Sequence, residues 1–315
     1  MIADGLGLVA SLAVLVVAGD QFVVGAGRLA TALRIRPAIV GAVIGGLGAS
    51  LPELMVSSVA SVRKEPEIAV GNLVGSVIAN LSLALAVAAL VAPIRVESKT
   101  VRREAPISVG AVLLFALLLL GGLSRAEGVG LLVGLAVALA FMLADAGRSP
   151  RGDELAVEVR RFFSGRTGPG SVAETVRSLG GLAFMLIGAE VLVRSASGLA
   201  HRLGIGEGFA GLTVVAVGTT APLVAIAIQA ARRGNHDLVA GSVLGSNLFI
   251  ALAGGALVGL LRGGPGTAVD LVAVWVMAVI AVAAWAFMAR GSVVTRWEAL
   301  VLLLAYAGML PFLAR

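Results

Sequence analysis

Gly-Ala-Ser-Leu-Pro-Glu, at residues 48–53, decides the fold because it puts a proline and a carboxylate inside a long apolar run. Gly-Thr-Thr-Ala-Pro-Leu, at residues 218–223, repeats the pattern 170 positions later, but leucine replaces the acid. Proline removes a hydrogen bond from a helix and disrupts it, so Pro52 and Pro222 predict two helix breaks. Broken helices at matching positions predict a transporter binding site, and Glu53, an ionisable residue at membrane depth, is its first candidate.

The composition predicts an integral membrane protein. Of the 315 residues, 59% are hydrophobic and only 13% are charged, against about 25% charged in soluble domains. The mean hydropathy is +1.03. The chain has no cysteine, which excludes disulfides and thiolate metal sites. Its two histidines, His201 and His236, stand near basic residues at predicted span ends, which argues against a histidine zinc site or a catalytic triad.

Ten apolar runs are long enough to cross a bilayer, which takes about 20 residues as a helix. The predicted spans are residues 5–27, 37–61, 68–92, 105–123, 127–146, 178–200, 207–231, 238–261, 268–289 and 296–314. A polar stretch separates five spans from five, so we predict an all-α integral membrane protein with ten transmembrane helices. Its parts are a first five-span repeat at 1–146, a cytoplasmic linker at 147–177 and a second five-span repeat at 178–315. Within the linker, residues 153–163 fit either a short surface helix or a solvated loop.

The two five-span repeats align at a constant offset of 170 without a gap. An odd number of spans in each places them in opposite orientations, as inverted repeats. The aligned pairs include Asp20 with Glu190, Gly48 with Gly218, Pro52 with Pro222, Gly75 with Gly245, and Ser76 with Ser246. Chance matches among 42 glycines would not also bring the prolines and the intramembrane acids into one register, so we predict an internal duplication.

Basic residues predict the orientation. Most of the 24 lysine and arginine residues fall in the loops on one side of the ten spans, and basic loops face the cytoplasm. Both termini are therefore expected outside the cell, in a multi-pass protein of the plasma membrane. The sequence pI of about 11.1 follows from this bias, so the lipid bilayer is the expected partner and nucleic acid is not.

Oxygen-bearing side chains gather near the two prolines. Ser50 and Glu53 are three residues apart and share a helix face. Ser76 and Asn80 are four apart and share another. A carbonyl freed by a proline needs a partner in lipid, and hard cations take oxygen ligands. The pattern predicts a cation site; the alternative is a structural kink whose polar neighbours only join helices.

Longer motifs around these residues resemble the sodium/calcium exchanger family, which belongs to the Ca²⁺/cation antiporter superfamily. Its first alpha-repeat is similar to residues 48–53 followed by Gly-Asn-Leu-Val-Gly-Ser-Val-Ile-Ala-Asn at 71–80. Its second is similar to residues 218–223 followed by Gly-Ser-Val-Leu-Gly-Ser-Asn-Leu-Phe-Ile at 241–250. The resemblance implies a prokaryotic-type member with a divergent second repeat. It also implies a secondary-active cation antiporter with alternating access, in which spans 1 and 6 move against the bundle that carries the site.

The resemblance also implies a set of ion ligands. They are Ser50, Glu53, Ser76 and Asn80 in the first repeat and Thr219, Thr220 and Ser246 in the second, with Asn247 as a candidate residue of the ion path. Leu223 stands where the family has a glutamate, and Ile250 stands where it has an acidic or amide residue. Two family ligands are therefore lost, and Glu53 is the expected charged metal ligand.

The lost ligands bear on the transported ion. A site with Glu53 alone carries about one negative charge, which Na⁺ or H⁺ neutralises. Ca²⁺ would leave a net positive charge in a low-dielectric pocket, which is unfavourable. The resemblance implies exchange of Ca²⁺ or another cation against Na⁺ or H⁺, whereas the residues favour a monovalent ion. These cations are substrates, and no cofactor is expected.

Two further acids and three functions stay open. Asp20 is either an acid of the ion path or a packed, hydrogen-bonded acid. Glu190 either lies on the ion path or forms a structural pair with Arg194, four residues later. Besides the Ca²⁺-type antiporter, the residues fit an exchanger restricted to monovalent cations or a degenerate, non-transporting protein with a regulatory or scaffolding role. An enzyme is not expected, because no Ser-His or paired-Asp constellation lies at membrane depth. The sequence fixes neither the exchanged ion pair nor the oligomeric state.

Overall fold

The computed structural model describes residues 2–33, 46–97, 100–146, 171–262 and 270–313, which are almost wholly α-helical. In chain order the helices are α1 (Ile2–Ala32), α2 (Gly46–Val62), α3 (Pro66–Val91), α4 (Thr100–Leu120), α5 (Arg125–Ala146), α6 (Ser171–Leu203), α7 (Glu207–Arg232), α8 (His236–Leu261), α9 (Leu271–Gly291) and α10 (Arg296–Leu313). Within these ranges, the only sheet pairs β1 (Ile94–Arg95) antiparallel with β2 (Val293–Val294). The predicted all-α class is confirmed.

Eight of these helices, α1 and α3 to α9, are long and apolar enough to cross a membrane. The helix α2 contributes a shorter apolar segment, Leu47–Val62. The chain is therefore a multi-pass integral membrane protein. The number of ten spans stays a prediction, because eight of the described helices meet the length and composition of a span.

The helix α6 begins at Ser171, earlier than the boundary at residue 178 that the sequence predicted. A contact with α1 explains the extra turns, because Arg28 Nη1 donates to Glu174 Oε1 at 2.9 Å and Ser178 packs against Gly25. The rest of the predicted linker, residues 147–170 with the segment 153–163, lies outside the described residues, as do residues 37–45 of the second predicted span.

The predicted helix breaks at Pro52 and Pro222 are wrong. Both prolines lie inside continuous helical segments, Gly46–Val62 and Ala216–Arg232. A proline removes one hydrogen bond, because it has no N–H, and the turns on either side keep theirs. The irregular turns lie elsewhere: π turns occupy Asn80–Ala84 in α3, Thr100–Glu104 in α4, Gly211–Val215 in α7 and Ile250–Gly254 in α8.

The helices α1 and α6 run antiparallel in close contact. Ion pairs join them near both ends, with Arg28 to Glu174 at 2.9 Å and Arg202 to Asp4 at 3.3 Å. Between the ends, small residues let the two backbones approach, as is common in membrane helix pairs. A Cβ added at Gly181 would lie 2.7 Å from the backbone nitrogen of Phe22 in α1.

The helix α1 also covers both hexapeptides. A Cβ added at Gly48 would lie 2.7 Å from the Val23 side chain, and a Cβ added at Gly218 would lie 2.6 Å from the Leu12 side chain. Aliphatic side chains of one helix therefore rest on matching glycines of α2 and α7. The aligned glycines of the two predicted repeats make the same kind of contact.

The helix α3 packs on α7 without intervening side chains, in a contact that we call the glycine seam (Gly71 and Gly75 against Gly208 and Leu212). A Cβ added at Gly75 would lie 2.7 Å from both the Leu212 Cα and the Ala216 Cβ. A Cβ at Gly71 would lie 3.1 Å from the Leu212 nitrogen. Glycine is needed here because backbone, which cannot move aside, occupies the space of a side chain.

Replacing Gly75 by alanine should lower the free energy of unfolding by about 1–3 kcal/mol, since overpacking against backbone forces the helices apart. The matched control is Gly245→Ala in the second predicted repeat, where the added Cβ would have no neighbouring heavy atom of the described structure within 4 Å. Its expected change is within about 0.5 kcal/mol. Thermal unfolding of the purified protein in detergent measures both variants, and equal losses would contradict the seam.

Candidate ion-binding site

Four helices, α2, α3, α7 and α8, carry the predicted ligands, and all of these side chains are buried. They are Ser50 and Glu53 on α2, Ser76 and Asn80 on α3, Thr219 and Thr220 on α7, and Ser246 and Asn247 on α8. Hydrogen bonds connect most of them across the boundary between the two predicted repeats, in two separate groups. The structure therefore brings together predicted ligands that stand far apart in the sequence.

The first group joins α2, α3 and α8. Ser50 Oγ lies 2.9 Å from Ser246 Oγ and also donates to the Ser246 carbonyl at 3.2 Å. Asn80 Nδ2 donates to Ser246 Oγ at 3.2 Å and to Asn247 Oδ1 at 2.8 Å. Asn80 opens the π turn of α3, a local widening that is frequent at functional sites.

The second group joins α2, α3 and α7. Thr219 Oγ1 lies 3.4 Å from Ser76 Oγ, and it can donate to the Ala216 carbonyl at 3.1 Å or to Asn72 Oδ1 at 3.4 Å. Asn72 Nδ2 in turn donates to the Glu53 carbonyl at 3.1 Å and to Ser57 Oγ at 2.9 Å. Both Asn72 and Ser57 are fully buried.

Asn72 is a residue that the sequence reasoning missed. The signal was present, because Asn72 is a polar residue at membrane depth within the predicted span 68–92, and such residues are expensive and commonly functional. Its counterpart at the offset of 170 is Ser242, so the repeat alignment did not point to an amide there.

Several oxygens near these groups have no hydrogen-bond partner in the described structure. They are both carboxylate oxygens of Glu53, Asn80 Oδ1 and Thr220 Oγ1. A buried polar atom left without a partner costs about 1–3 kcal/mol, and a carboxylate costs more. Such atoms suit a cation or, at the carboxylate, a proton.

Glu53 is the charged group of the site. Among the described residues, no group of three or more His, Cys, Asp or Glu side chains is placed to hold a metal ion. At the aligned positions of the second half, Leu223 is 3% exposed and Ile250 is fully buried. The candidate site therefore offers hydroxyl, amide and carbonyl oxygens with one carboxylate. Apolar side chains occupy the two positions of the lost family ligands.

Asp20 and Glu190 lie apart from these buried groups. Asp20 is exposed on α1 and accepts from Gln21 Nε2 at 3.3 Å. Glu190 is paired with Arg194 at 2.7 Å, as its helical spacing predicts, and also with Arg63 at 2.6 Å. Glu190 therefore ties α6 to the end of α2.

Arg63 also pairs with a second acid, Glu65, in the loop between α2 and α3. Arg63 Nε lies 3.2 Å from Glu65 Oε1. Burial raises the pKa of Glu65 above its ordinary value, and the neighbouring Arg63 opposes that rise. This ionic cluster lies at the end of α2 that is predicted to face outward.

Known proteins are similar to this chain over most of its length. The chain matches the family described as sodium/calcium exchanger protein over residues 5–144 and 174–314. It is 36% identical to the putative antiporter CaxA of Alkalimonas amylolytica, over 77% of this chain and 76% of that protein. It is 30% identical to the sodium/calcium exchanger MaX1 of Methanosarcina acetivorans, over 97% of each chain.

A solved structure has the same fold. The sodium-calcium exchanger NCX_Mj, in crystals soaked with 10 mM Na⁺ and 10 mM Sr²⁺, superimposes with a TM-score of 0.66 at 27% sequence identity, over 98% of each chain. The likeness extends over both halves of the chain.

Proposed function

This chain belongs to the sodium/calcium exchanger protein family, and we propose that it is a secondary-active antiporter that binds its cation at Glu53. The family is one of transporters and not of enzymes. The observation that carries the proposal is the Glu53 carboxylate itself, which is fully buried and has no partner for either oxygen within the described structure. A charge left in this state is strongly unfavourable, so the site is built to be neutralised by a transported ion.

We propose that the remaining ligands come from both buried groups. Ser50, Asn80 and Ser246 supply the first group, and Ser76 and Thr219 supply the second. Thr220 Oγ1 is buried and unpartnered, which supports it as a further ligand. Asn247 is proposed to orient Asn80, to which it is bonded at 2.8 Å.

The charge of the site favours a monovalent cation, Na⁺ or H⁺. One carboxylate balances one positive charge, and Leu223 and Ile250 add none. Ca²⁺ is the second candidate, which the exchanger names of the relatives favour. Binding Ca²⁺ at this site would leave a net positive charge in a low-dielectric interior, so we expect exchange between monovalent ions to be faster.

Alternating access is proposed to come from an inverted duplication. Three facts support it: the segments Gly46–Val62 and Ala216–Arg232 begin 170 residues apart, and so do the segments Pro66–Ala79 and His236–Phe249 and the π turns at Asn80–Ala84 and Ile250–Gly254. The paired helices α1 and α6 would move against the bundle of α2, α3, α7 and α8. We further propose that the protein lies in the plasma membrane with both termini outside, as its basic loops predict.

Flux in proteoliposomes tests the proposal. Purified protein should exchange Na⁺ against H⁺ or a second cation when Ca²⁺, Na⁺, K⁺ and H⁺ gradients are compared pairwise, with protein-free liposomes as the control. A well-folded protein that moves none of the four ions would contradict the proposal and favour the regulatory or scaffolding role.

A further inference from the structure

We propose that Asn72 is a positioning residue of the cation site, because its side-chain oxygen accepts a hydrogen bond from the Thr219 hydroxyl and so turns the lone pairs of Thr219 toward the cation. The inference rests on the proposed function, since it concerns the same site. Asn72 is not among the ligands that the motifs predicted. It acts through Thr219, and its donation to the Glu53 carbonyl holds the amide in place.

The hydrogen bonds of Asn72 fix the orientation of its amide. Its nitrogen lies 3.1 Å from the Glu53 carbonyl oxygen and 2.9 Å from Ser57 Oγ. A carbonyl oxygen only accepts, so the nitrogen must face Glu53. The amide oxygen is then left facing Thr219 Oγ1, at 3.4 Å. The side chain is fully buried, and both of its ends are used.

The Thr219 hydroxyl has one proton and two lone pairs. The Ala216 carbonyl at 3.1 Å and Asn72 Oδ1 at 3.4 Å can only accept, so they draw that proton. The lone pairs of Thr219 then remain for the Ser76 hydroxyl, 3.4 Å away, or for a cation. Without Asn72, one of the two acceptors is gone and the Glu53 carbonyl loses its donor.

The second half of the chain has no equivalent arrangement among its described residues. At the offset of 170, Ser242 takes the place of Asn72, Ala227 that of Ser57, and Leu223 that of Glu53. Ser242 Oγ bonds to the Val239 carbonyl of its own helix, at 3.1 Å. The amide therefore occurs only in the half that keeps the carboxylate, which links it to Glu53 and not to helix packing in general.

A double-mutant cycle of Asn72→Ala and Thr219→Ala tests the inference. Each single variant should raise the KM for Na⁺ about tenfold, the factor expected for one hydrogen bond, with a smaller change in maximal flux. The double variant should match Thr219→Ala within about twofold, because Asn72 acts through Thr219. The rise in Tm on adding Na⁺ is a second readout that does not depend on transport. If the increase in KM of the double variant equals the product of the two single increases, the inference is overturned.

The matched control is Ser61→Ala, which removes a buried hydroxyl of α2 that donates to the Ser57 carbonyl of its own helix, at 2.7 Å, and belongs to neither buried group. It should leave the KM for Na⁺ unchanged, and a rise equal to that of Asn72→Ala would mean general loosening and overturn the inference. Asn72→Ser replaces Asn72→Ala if the alanine variant does not fold. A wild-type protein with no cation flux and no Na⁺-dependent Tm shift would contradict the proposed function, whereas a transporting wild type with a multiplicative cycle would contradict only the role of Asn72.

Discussion

Replacing Glu53 by glutamine should abolish ion exchange in proteoliposomes. Glutamine keeps the size of the side chain and removes its charge, so the buried oxygens would face a cation without a counter-charge. The loss of one partner from a buried charge pair costs about 3–5 kcal/mol, which corresponds to a fall in cation affinity of about 100-fold or more. Flux at saturating and limiting Na⁺ measures the effect.

The matched control is Glu67→Gln, an exposed carboxylate at the start of α3, which should keep wild-type flux. Because Glu53 has no hydrogen-bond partner in the described structure, its replacement should not lower the Tm. Exchange at the wild-type rate in Glu53→Gln would remove Glu53 from the ion site.

Placing acids at the two positions of the lost family ligands should create Ca²⁺ binding. The double variant Leu223→Glu with Ile250→Asp adds two carboxylates at buried positions aligned with Glu53 and Asn80. Three carboxylates match a divalent ion far better than one, and hard cations take such oxygens. We expect the affinity for Ca²⁺ to rise by at least about tenfold, the factor that 1.4 kcal/mol provides. Calorimetric titration with Ca²⁺ and Ca²⁺ flux measure it.

The added acids should also make the protein dependent on Ca²⁺, because uncompensated buried charges destabilise the folded state. The Tm of the double variant should therefore fall without Ca²⁺ and recover with it. Adding Glu53→Gln to the double variant is the control, and it should remove much of the gain. A folded double variant with no gain in Ca²⁺ affinity would mean that the second half has also lost the geometry of its site.

The fold could be predicted because its signals are local. Long apolar runs identify membrane helices directly, and the polar stretch after residue 146 predicts the division between the halves. The start of α6 at Ser171 could not be read in this way, because its first turns are held by Arg28 of α1, a contact between residues far apart in sequence. The effect of Pro52 was misjudged for a related reason: the remaining hydrogen bonds of the helix outweigh the one that proline removes.

The burial of the candidate ligands was predictable from the sequence, but their arrangement was not. Motifs named Ser50, Glu53, Ser76 and Asn80, and each is buried as expected. The division into two hydrogen-bonded groups depends on how α7 and α8 meet α3, which no motif encodes. Asn72 was missed because its role arises from a contact with Thr219 across the two halves.

The contact of α1 with the hexapeptides separates two quantities that transport kinetics can measure. The oxygens proposed to bind the ion lie on α2, α3, α7 and α8, and the glycine seam packs the backbone of α3 directly against that of α7. We therefore expect the affinity for the cation to depend on this closely packed group of helices. The side chains of Val23 and Leu12 instead pack against α2 and α7 at Gly48 and Gly218, which have no side chains of their own. In the proposed cycle, the packing of α1 at these two glycines sets the energy barrier to its movement. Substitutions there would change the turnover rate, whereas substitutions among the proposed ligands would change the affinity.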